Sequence, residues 1–339
     1  MVKPVRDVAG ALERAAATAP DAASLHAAVV EHVQRLVNCG PVFLATVDPT
    51  TLNFTSSFRS GIDEEVAGAF LANEIGVDDV VKFRHLARSR QPVASLYRAT
   101  EGKPQDSARW RDVIEPLGWG DELRVALRAR DRTWGVLCLH RAADDSPYGT
   151  RELATLSAVG PALAEAMRRT ALHAESAGAP PETGVIVLDE DFVVTSTTGA
   201  AVEWLELLGG SPQCLPIMLT SLAVQAVSAE RPELVCAATA DDRWICARAS
   251  RLHGTGPERV VIVVESAHPA DALPVLAAAV HLSPREQEVA QAVLGGASVR
   301  VISRQLGLGE RTVQDHLKAI YAKTGVRSRG ELVARLLSR

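Results

Sequence analysis

The chain has 339 residues, with 36 Lys and Arg against 41 Asp and Glu, a net charge of −5 and 47% hydrophobic residues. That apolar content is enough for real cores, which argues against wholesale disorder, and the length suits two or three domains. No apolar run approaches the roughly 18 residues that span a bilayer, and Met1-Val2-Lys3-Pro4-Val5-Arg6-Asp7 has no apolar signal region, so a cytoplasmic protein without a membrane partner is expected.

Residues 21–37 predict an amphipathic helix with Leu25, Ala28, Val29, His32, Val33 and Leu36 inward. Strands are expected at 42–47 and 52–58 around a turn at Asp48-Pro49-Thr50-Thr51. Residues 62–90 read as mainly helical and 92–96 as a short strand. Strands at 122–128 and 133–141 pair through Arg130-Asp131-Arg132. Along the second, Trp134, Val136, Cys138 and His140 share one face and Leu137 and Leu139 the other, the pattern of a central strand covered on both sides. A helix from about 149 to 171 closes the unit.

This order, with the strand Trp134-Gly135-Val136-Leu137-x-Leu139-x-Arg141, resembles a GAF domain over residues 10–172. The resemblance implies an α/β sensor and dimerisation domain whose excursion between strands covers a pocket for a small molecule. Phe83, His85, Trp110, Trp119, Trp134 and His140 are the candidate lining residues, with plain core packing as the competing reading for each. A haem-ligating histidine at 85 or 140 is a further alternative, but no cofactor is expected, only an unidentified ligand. Leu153, Leu156, Gly160, Leu163 and Met167 recur at three-four spacing, either as a seam for a parallel dimer or as the face that covers the domain's own sheet.

A linker with a proline pair follows at 173–183. Residues 184–266 then read as strands at 185–188 and 192–196, helices at 199–208 and 217–227, and strands at 233–239, 243–250 and 258–265. Two strands, a helical insert and a three-strand meander resemble a PAS domain, an α/β fold with Trp204 and Trp244 in its core. Residues 267–280 read as a second linker. The five cysteines, at 39, 138, 214, 236 and 246, are odd in number and contain no Cys-x-x-Cys, which predicts reduced thiols and neither a disulfide frame nor a metal site.

The last unit, 281–339, predicts four helices. Ser283-Pro284-Arg285-Glu286 opens the first with a capping box and a proline at the first helical position. Gly295-Gly296 ends it, Ser298 caps the second, and Gly307-Leu308-Gly309 turns into a third at about 310–324, closed by Gly325. Ser328 and Glu331 open the fourth. On the third helix Val313, Leu317, Ile320 and Thr324 form one stripe, and Arg311, Gln314, Asp315 and Lys318 the opposite one. A short helix followed by such a row fits a major groove. Arg311 and Gln314 are candidate base readers, and Lys318, Lys323, Arg327 and Arg329 candidate phosphate contacts. Residues 280–339 hold ten Lys and Arg against five Asp and Glu, a basic end on an acidic body.

Leu282-Ser283-Pro284-Arg285-Glu286, Gly296, Ile302, Leu306, Thr312-Val313, His316, Lys323 and Gly325-Val326-Arg327-Ser328-Arg329 resemble the LuxR-type helix-turn-helix, an all-α four-helix unit. The resemblance implies double-stranded DNA as partner, with Thr312, residue 314 and Lys323 at or near it. Ser298 joins this candidate set. A homodimer is implied through Leu332, Val333 and Leu336 of the fourth helix, and RNA polymerase as a contact in activation. The chain departs from the pattern at Gln314 (usually lysine), Val301 (glutamate), Gly309 (a capping serine) and Thr324 (leucine). Gly-x-Ser-x-Gly, Gly-x-x-x-x-Gly-Lys and His-Glu-x-x-His are absent, so no enzyme is expected. The expectation is a sensor-controlled transcription regulator. An enzyme fused to a DNA anchor and a constitutive DNA binder with a dimerising scaffold are the alternatives.

Overall fold

The computed structural model describes residues 10, 22–170, 181–228, 233–239, 244–254 and 257–337. The first unit opens on α1 (Ala22–Leu36), which buries Leu25, Val29, Val30 and Val33. There follow β1 (Val42–Val47), β2 (Phe54–Ser60), α2 (Glu64–Gly76), α3 (Phe83–Leu86), β3 (Val93–Ser95), α4 (Leu96–Ala99), β4 (Trp119–Ala129), β5 (Arg132–Ala142) and α5 (Thr150–Thr170). The strands make one antiparallel sheet in the order β2-β1-β5-β4-β3. α5 lies on β4 and β5 and buries Leu156, Leu163 and Met167 there, so this face covers its own sheet and does not offer a dimer seam. Gly135 permits that approach, because a Cβ on it would stand 2.2 Å from Met167 Sδ.

One strand departs from simple alternation. Leu127 pairs with Gly135 and Arg128 with Thr133, which leaves Trp134 as the extra residue of a bulge. Trp134 therefore joins Leu137 and Leu139 in the cluster under α5, and does not share a face with Val136 and Cys138.

The second unit comprises β6 (Gly184–Leu188), β7 (Val194–Thr197), α6 (Gly199–Leu207), α7 (Ile217–Ser228), β8 (Glu233–Ala238), β9 (Trp244–Leu252) and β10 (Arg259–Ser266). Its sheet order, β7-β6-β10-β9-β8, repeats the connectivity of the first sheet. This is a PAS-like arrangement, with Trp204 of α6 fully buried and its indole N–H donating to the Glu182 carbonyl at 2.9 Å. Trp244 packs instead with the cluster shared by the first unit and the C-terminal helices. The expectation of separate thiols is overturned at one pair. Cys236 and Cys246 stand directly opposite on β8 and β9 and are bridged.

The segment read as a second linker is helical. His268 caps α8 (Pro269–Ala279), with Nδ1 accepting from the Ala270 N–H at 3.2 Å, and Pro269 takes the first-turn position. Leu273, Val275, Leu276 and Ala279 are buried in a cluster that runs without a break into the C-terminal helices. Those helices are α9 (Pro284–Leu294), α10 (Val299–Leu306), α11 (Glu310–Thr324) and α12 (Arg329–Leu337). The first linker falls mostly on residues 171–180, outside the described residues.

Candidate functional site

Capping sets the geometry of the C-terminal unit. Ser283 Oγ accepts from the Glu286 N–H, and Glu286 Oε2 accepts from the Ser283 N–H at 2.6 Å, completing the capping box. Ser298 Oγ accepts from the Val301 N–H at 3.4 Å and starts α10. Gly307 and Gly325 adopt left-handed φ of 64° and 71°, which lets α10 and α11 stop sharply.

α11 buries Val313, Leu317, Ile320 and Thr324 against α9 and α10. Thr324 suits this inward position because its hydroxyl donates back to the Ile320 carbonyl at 2.7 Å. The opposite face carries Arg311, Thr312, Gln314, Asp315 and Lys318, all exposed and aligned along the helix. Lys318 lies 3.8 Å from Asp315, a pair too exposed to hold either side chain against a stronger anion.

The remaining candidates divide. Arg327 is exposed on the turn after α11, and Ser298 is exposed at the start of α10. Lys323 instead spans back to α9, pairing with Glu286 Oε2 at 2.6 Å and donating to the His281 carbonyl at 3.0 Å. Arg329 donates to the Val293 carbonyl at 3.3 Å, at the open end of α9. Both cations are engaged in the unit's own architecture. Leu332 differs from the expectation: it is fully buried within this chain's core, where α12 packs on α9. Val333 is half-buried, and the side chain of Leu336 lies outside the described residues.

In the first unit, Phe43, Phe54, Phe70 and Phe83 surround a cavity on the sheet face beneath α2, with His140, Cys138 and Arg124 on its floor. Of the six expected lining residues, Phe83 and His140 line it, and Trp119 stands behind His140 with ring centroids 4.2 Å apart. His85 is exposed on α3, Trp110 does not reach the cavity, and Trp134 was turned to the other face by the bulge. The cavity is small, about 30 Å³, which admits about one or two water-sized groups.

Beneath it lies a buried ion network that the strand pattern alone did not flag. Arg109 donates to Glu122 Oε2 from Nε at 2.8 Å, and Arg124 pairs with Glu74 at 2.7 Å. Asp79 Oδ2 accepts from the Asn73 side-chain amide at 3.0 Å and from the Arg109 backbone N–H at 2.8 Å. Burial would raise the Glu122 carboxyl, but the Arg109 and Arg124 guanidiniums outweigh it and hold the group well below the usual range. Burial pushes the His140 imidazole down to about 4 and raises the Cys138 thiol. The available signal was Glu122 and Arg124 two residues apart in a strand with Leu123, Val125, Ala126 and Leu127, which places both charges on one covered face.

The two sensor-like units meet beside this cavity. Ile217, the first residue of α7, lines it, and Gln225 of α7 donates to Asn53 Oδ1 at 2.8 Å. Arg168 near the end of α5 donates to the Ala279 carbonyl at the end of α8.

A basic four-helix unit with an exposed polar row on its third helix defines a helix-turn-helix DNA-binding domain. Residues 280–336 match the family described as bacterial regulatory proteins of the luxR family, and residues 21–167 match the GAF domain. The chain thus carries a C-terminal LuxR-type helix-turn-helix domain and an N-terminal GAF domain, the make-up of a transcriptional regulator. It is 29% identical over 184 residues to the probable HTH-type transcriptional regulator GfsR of Streptomyces halstedii, covering 52% of this chain and 70% of that one. It is 46% identical over 54 residues to the monoamine regulon transcriptional regulator of Klebsiella aerogenes, covering 16% and 24%. Among solved structures, VqmA of Vibrio cholerae in a complex with ligand and DNA matches 45% of this chain and 80% of its own, at 16% identity and a TM-score of 0.24.

Proposed function

We propose that α11 enters the major groove and reads sequence through Arg311 and Gln314, with Thr312, Asp315 and Ser298 beside them. Lys318 and Arg327 hold phosphates. Lys323 and Arg329 act mainly by fixing α11 and α9 to each other. The observation that carries this reading is the exposed row Arg311, Thr312, Gln314, Asp315 and Lys318 on a helix whose other face is wholly core. Arginine and glutamine are the side chains that pair bidentately with guanine and adenine.

We further propose a cytoplasmic, non-enzymatic homodimer that binds two half-sites related by two-fold symmetry. It is divided into a GAF unit at 10–172, a PAS-like unit at 184–266 and a DNA-binding unit at 281–339. Among the described residues no helix is long and apolar enough to cross a membrane. Because Leu332 belongs to the core, contact between two α12 helices falls to its outer faces, and contact with RNA polymerase is left to the surface away from DNA. Control would pass from the GAF cavity through Ile217 and the Gln225–Asn53 contact to α7, and along α8 to α9. An occupant that binds one arrangement more tightly shifts the population toward it.

Selection of genomic fragments by the full-length protein tests the reading. A two-fold symmetric site should be enriched by the natural chain and relaxed or lost in Arg311→Ala and Gln314→Ala. Equal enrichment by all three proteins would refute the assignment of α11 as the reader.

A further inference from the structure

Three buried donors converge on the sheet face beneath α2, well away from the DNA-binding unit. The β4–β5 register sets Glu122 directly opposite His140, and Cys138 lies two residues along on the same face. Cys138 Sγ is 3.1 Å from Glu122 Oε1 and 3.4 Å from His140 Nε2, and the donor atoms of all three lie within 4.8 Å of one another. Two donors held tetrahedrally at about 2.0–2.3 Å from an ion stand roughly 3.5 Å apart. The donor atoms are therefore already near ligand spacing.

The surroundings orient them. Arg109 grips the other carboxylate oxygen, Oε2, from Nε at 2.8 Å and Nη2 at 2.7 Å, which turns Oε1 toward the thiol. Arg124 Nε lies 3.1 Å from Oε1 but out of line for a hydrogen bond, so that oxygen keeps accepting capacity. Outer partners that aim a ligating carboxylate are a regular part of metal sites. Trp119 and Phe70 pack on the His140 ring at 4.2 and 5.2 Å. His140 is fully buried and presents Nε2 to the thiol.

We propose that Glu122, Cys138 and His140 bind a divalent transition-metal ion, whose open fourth position faces the cavity edged by Phe43, Phe70 and Phe83. A thiolate, an imidazole and a carboxylate together suit Zn²⁺ or Fe²⁺ and not the oxygen-seeking Mg²⁺ or Ca²⁺. Binding forms the sulfur–metal bond and releases the Cys138 thiol proton to solvent. The thiolate and carboxylate then balance the ion's two charges, while Arg109 and Arg124 keep Asp79 and Glu74 as partners. Three protein ligands leave one position for an exogenous ligand. The cavity of about 30 Å³ limits that ligand to a water or a diatomic molecule.

Cobalt titration of the metal-stripped full-length protein tests the site. One Co²⁺ per chain should give an intense near-ultraviolet thiolate-to-cobalt absorption, lost in Cys138→Ser and retained in Cys39→Ser. His140→Gln should weaken Co²⁺ binding at least about tenfold. Far-ultraviolet circular dichroism shows that each variant is folded. No such absorption in the natural chain, or its survival in Cys138→Ser, overturns the proposal. Elemental analysis separates the two ions: zinc or iron present in the natural chain and missing from Cys138→Ser supports the site, and equal content in both overturns it.

Discussion

Lys323, in the last turn of α11, and Glu286, in the first turn of α9, meet in a 2.6 Å ion pair that ties the two ends of the DNA-binding unit together. The same carboxylate oxygen also caps Ser283. Burial would raise the Glu286 carboxyl, but the Lys323 and Ser283 hydrogen bonds outweigh it and hold the group below its usual range. A depressed carboxylate contributes stability above its unfolded value near 4.5 and loses it as pH falls toward the folded one. Lys323→Met should therefore destabilise the unit by about 1 kcal/mol at pH 7, the lysine side being partly screened by solvent. The difference from the natural chain should shrink below pH 4.5. Urea denaturation at pH 7 and pH 4 measures both. Arg311→Ala, exposed on α11, should leave the midpoint at pH 7 unchanged within about 0.5 kcal/mol.

Gln314 stands on the exposed face of α11 between Arg311 and Lys318. A lysine at this position adds one cation to the surface proposed to meet DNA. Gln314→Lys should tighten binding to an arbitrary duplex, and it should steepen the dependence of log affinity on log salt by about 0.9. Fluorescence anisotropy across a salt series reads that slope. An unchanged slope would mean that residue 314 does not face the DNA.

Local signals were most legible where they were short-range. The capping box at Ser283–Glu286, the left-handed Gly307 and Gly325, and the inward stripe of α11 follow from neighbours three or four residues apart. The limits of β1 are legible because Val42–Val47 is a short, largely apolar run bounded by Pro41 and the Asp48-Pro49 turn. Trp134 was misplaced because a bulge is a register event between two strands, invisible to the period-two pattern of one. α8 was read as a linker because two prolines mask a helix whose apolar residues are satisfied only by packing against β8, β9 and α9. The Cys236–Cys246 bridge and the Glu122–Cys138–His140 cluster depend on which residues face each other across a hairpin, information that spacing along the chain does not carry.

Arg109 and Glu122 are both fully buried, and their pairing holds the excursion against the sheet. Removing Arg109 leaves the buried Glu122 carboxylate to Arg124, 3.1 Å away, in a medium that solvates charge poorly. Arg109→Met should cost about 3–5 kcal/mol. The double variant Arg109→Met/Glu122→Gln should recover part of that loss, because both charges are then gone. Chemical denaturation of the natural chain, both single variants and the double variant gives the coupling. Strictly additive losses would mean that the pair is not an energetic unit.

His26 on α1 is 2% exposed, its Nε2 has no hydrogen-bond partner, and burial pushes its pKa from 6.5 down to about 4. The unfolded chain binds a proton here between those two values and the folded chain does not. Stability is therefore full above pH 6.5 and falls as pH drops toward about 4, after which this group contributes no further loss. The whole effect is at most about 3 kcal/mol. In the metal-free protein His140 acts with the same sign over the same window, since burial lowers it also to about 4. His26→Leu should thus make the fall in stability between pH 7 and pH 5 shallower without abolishing it, since His140 and His281 are shifted in the same direction. Urea denaturation at three pH values in that range measures the slope. A variant as pH-sensitive as the natural chain would mean that His26 titrates normally in the folded protein.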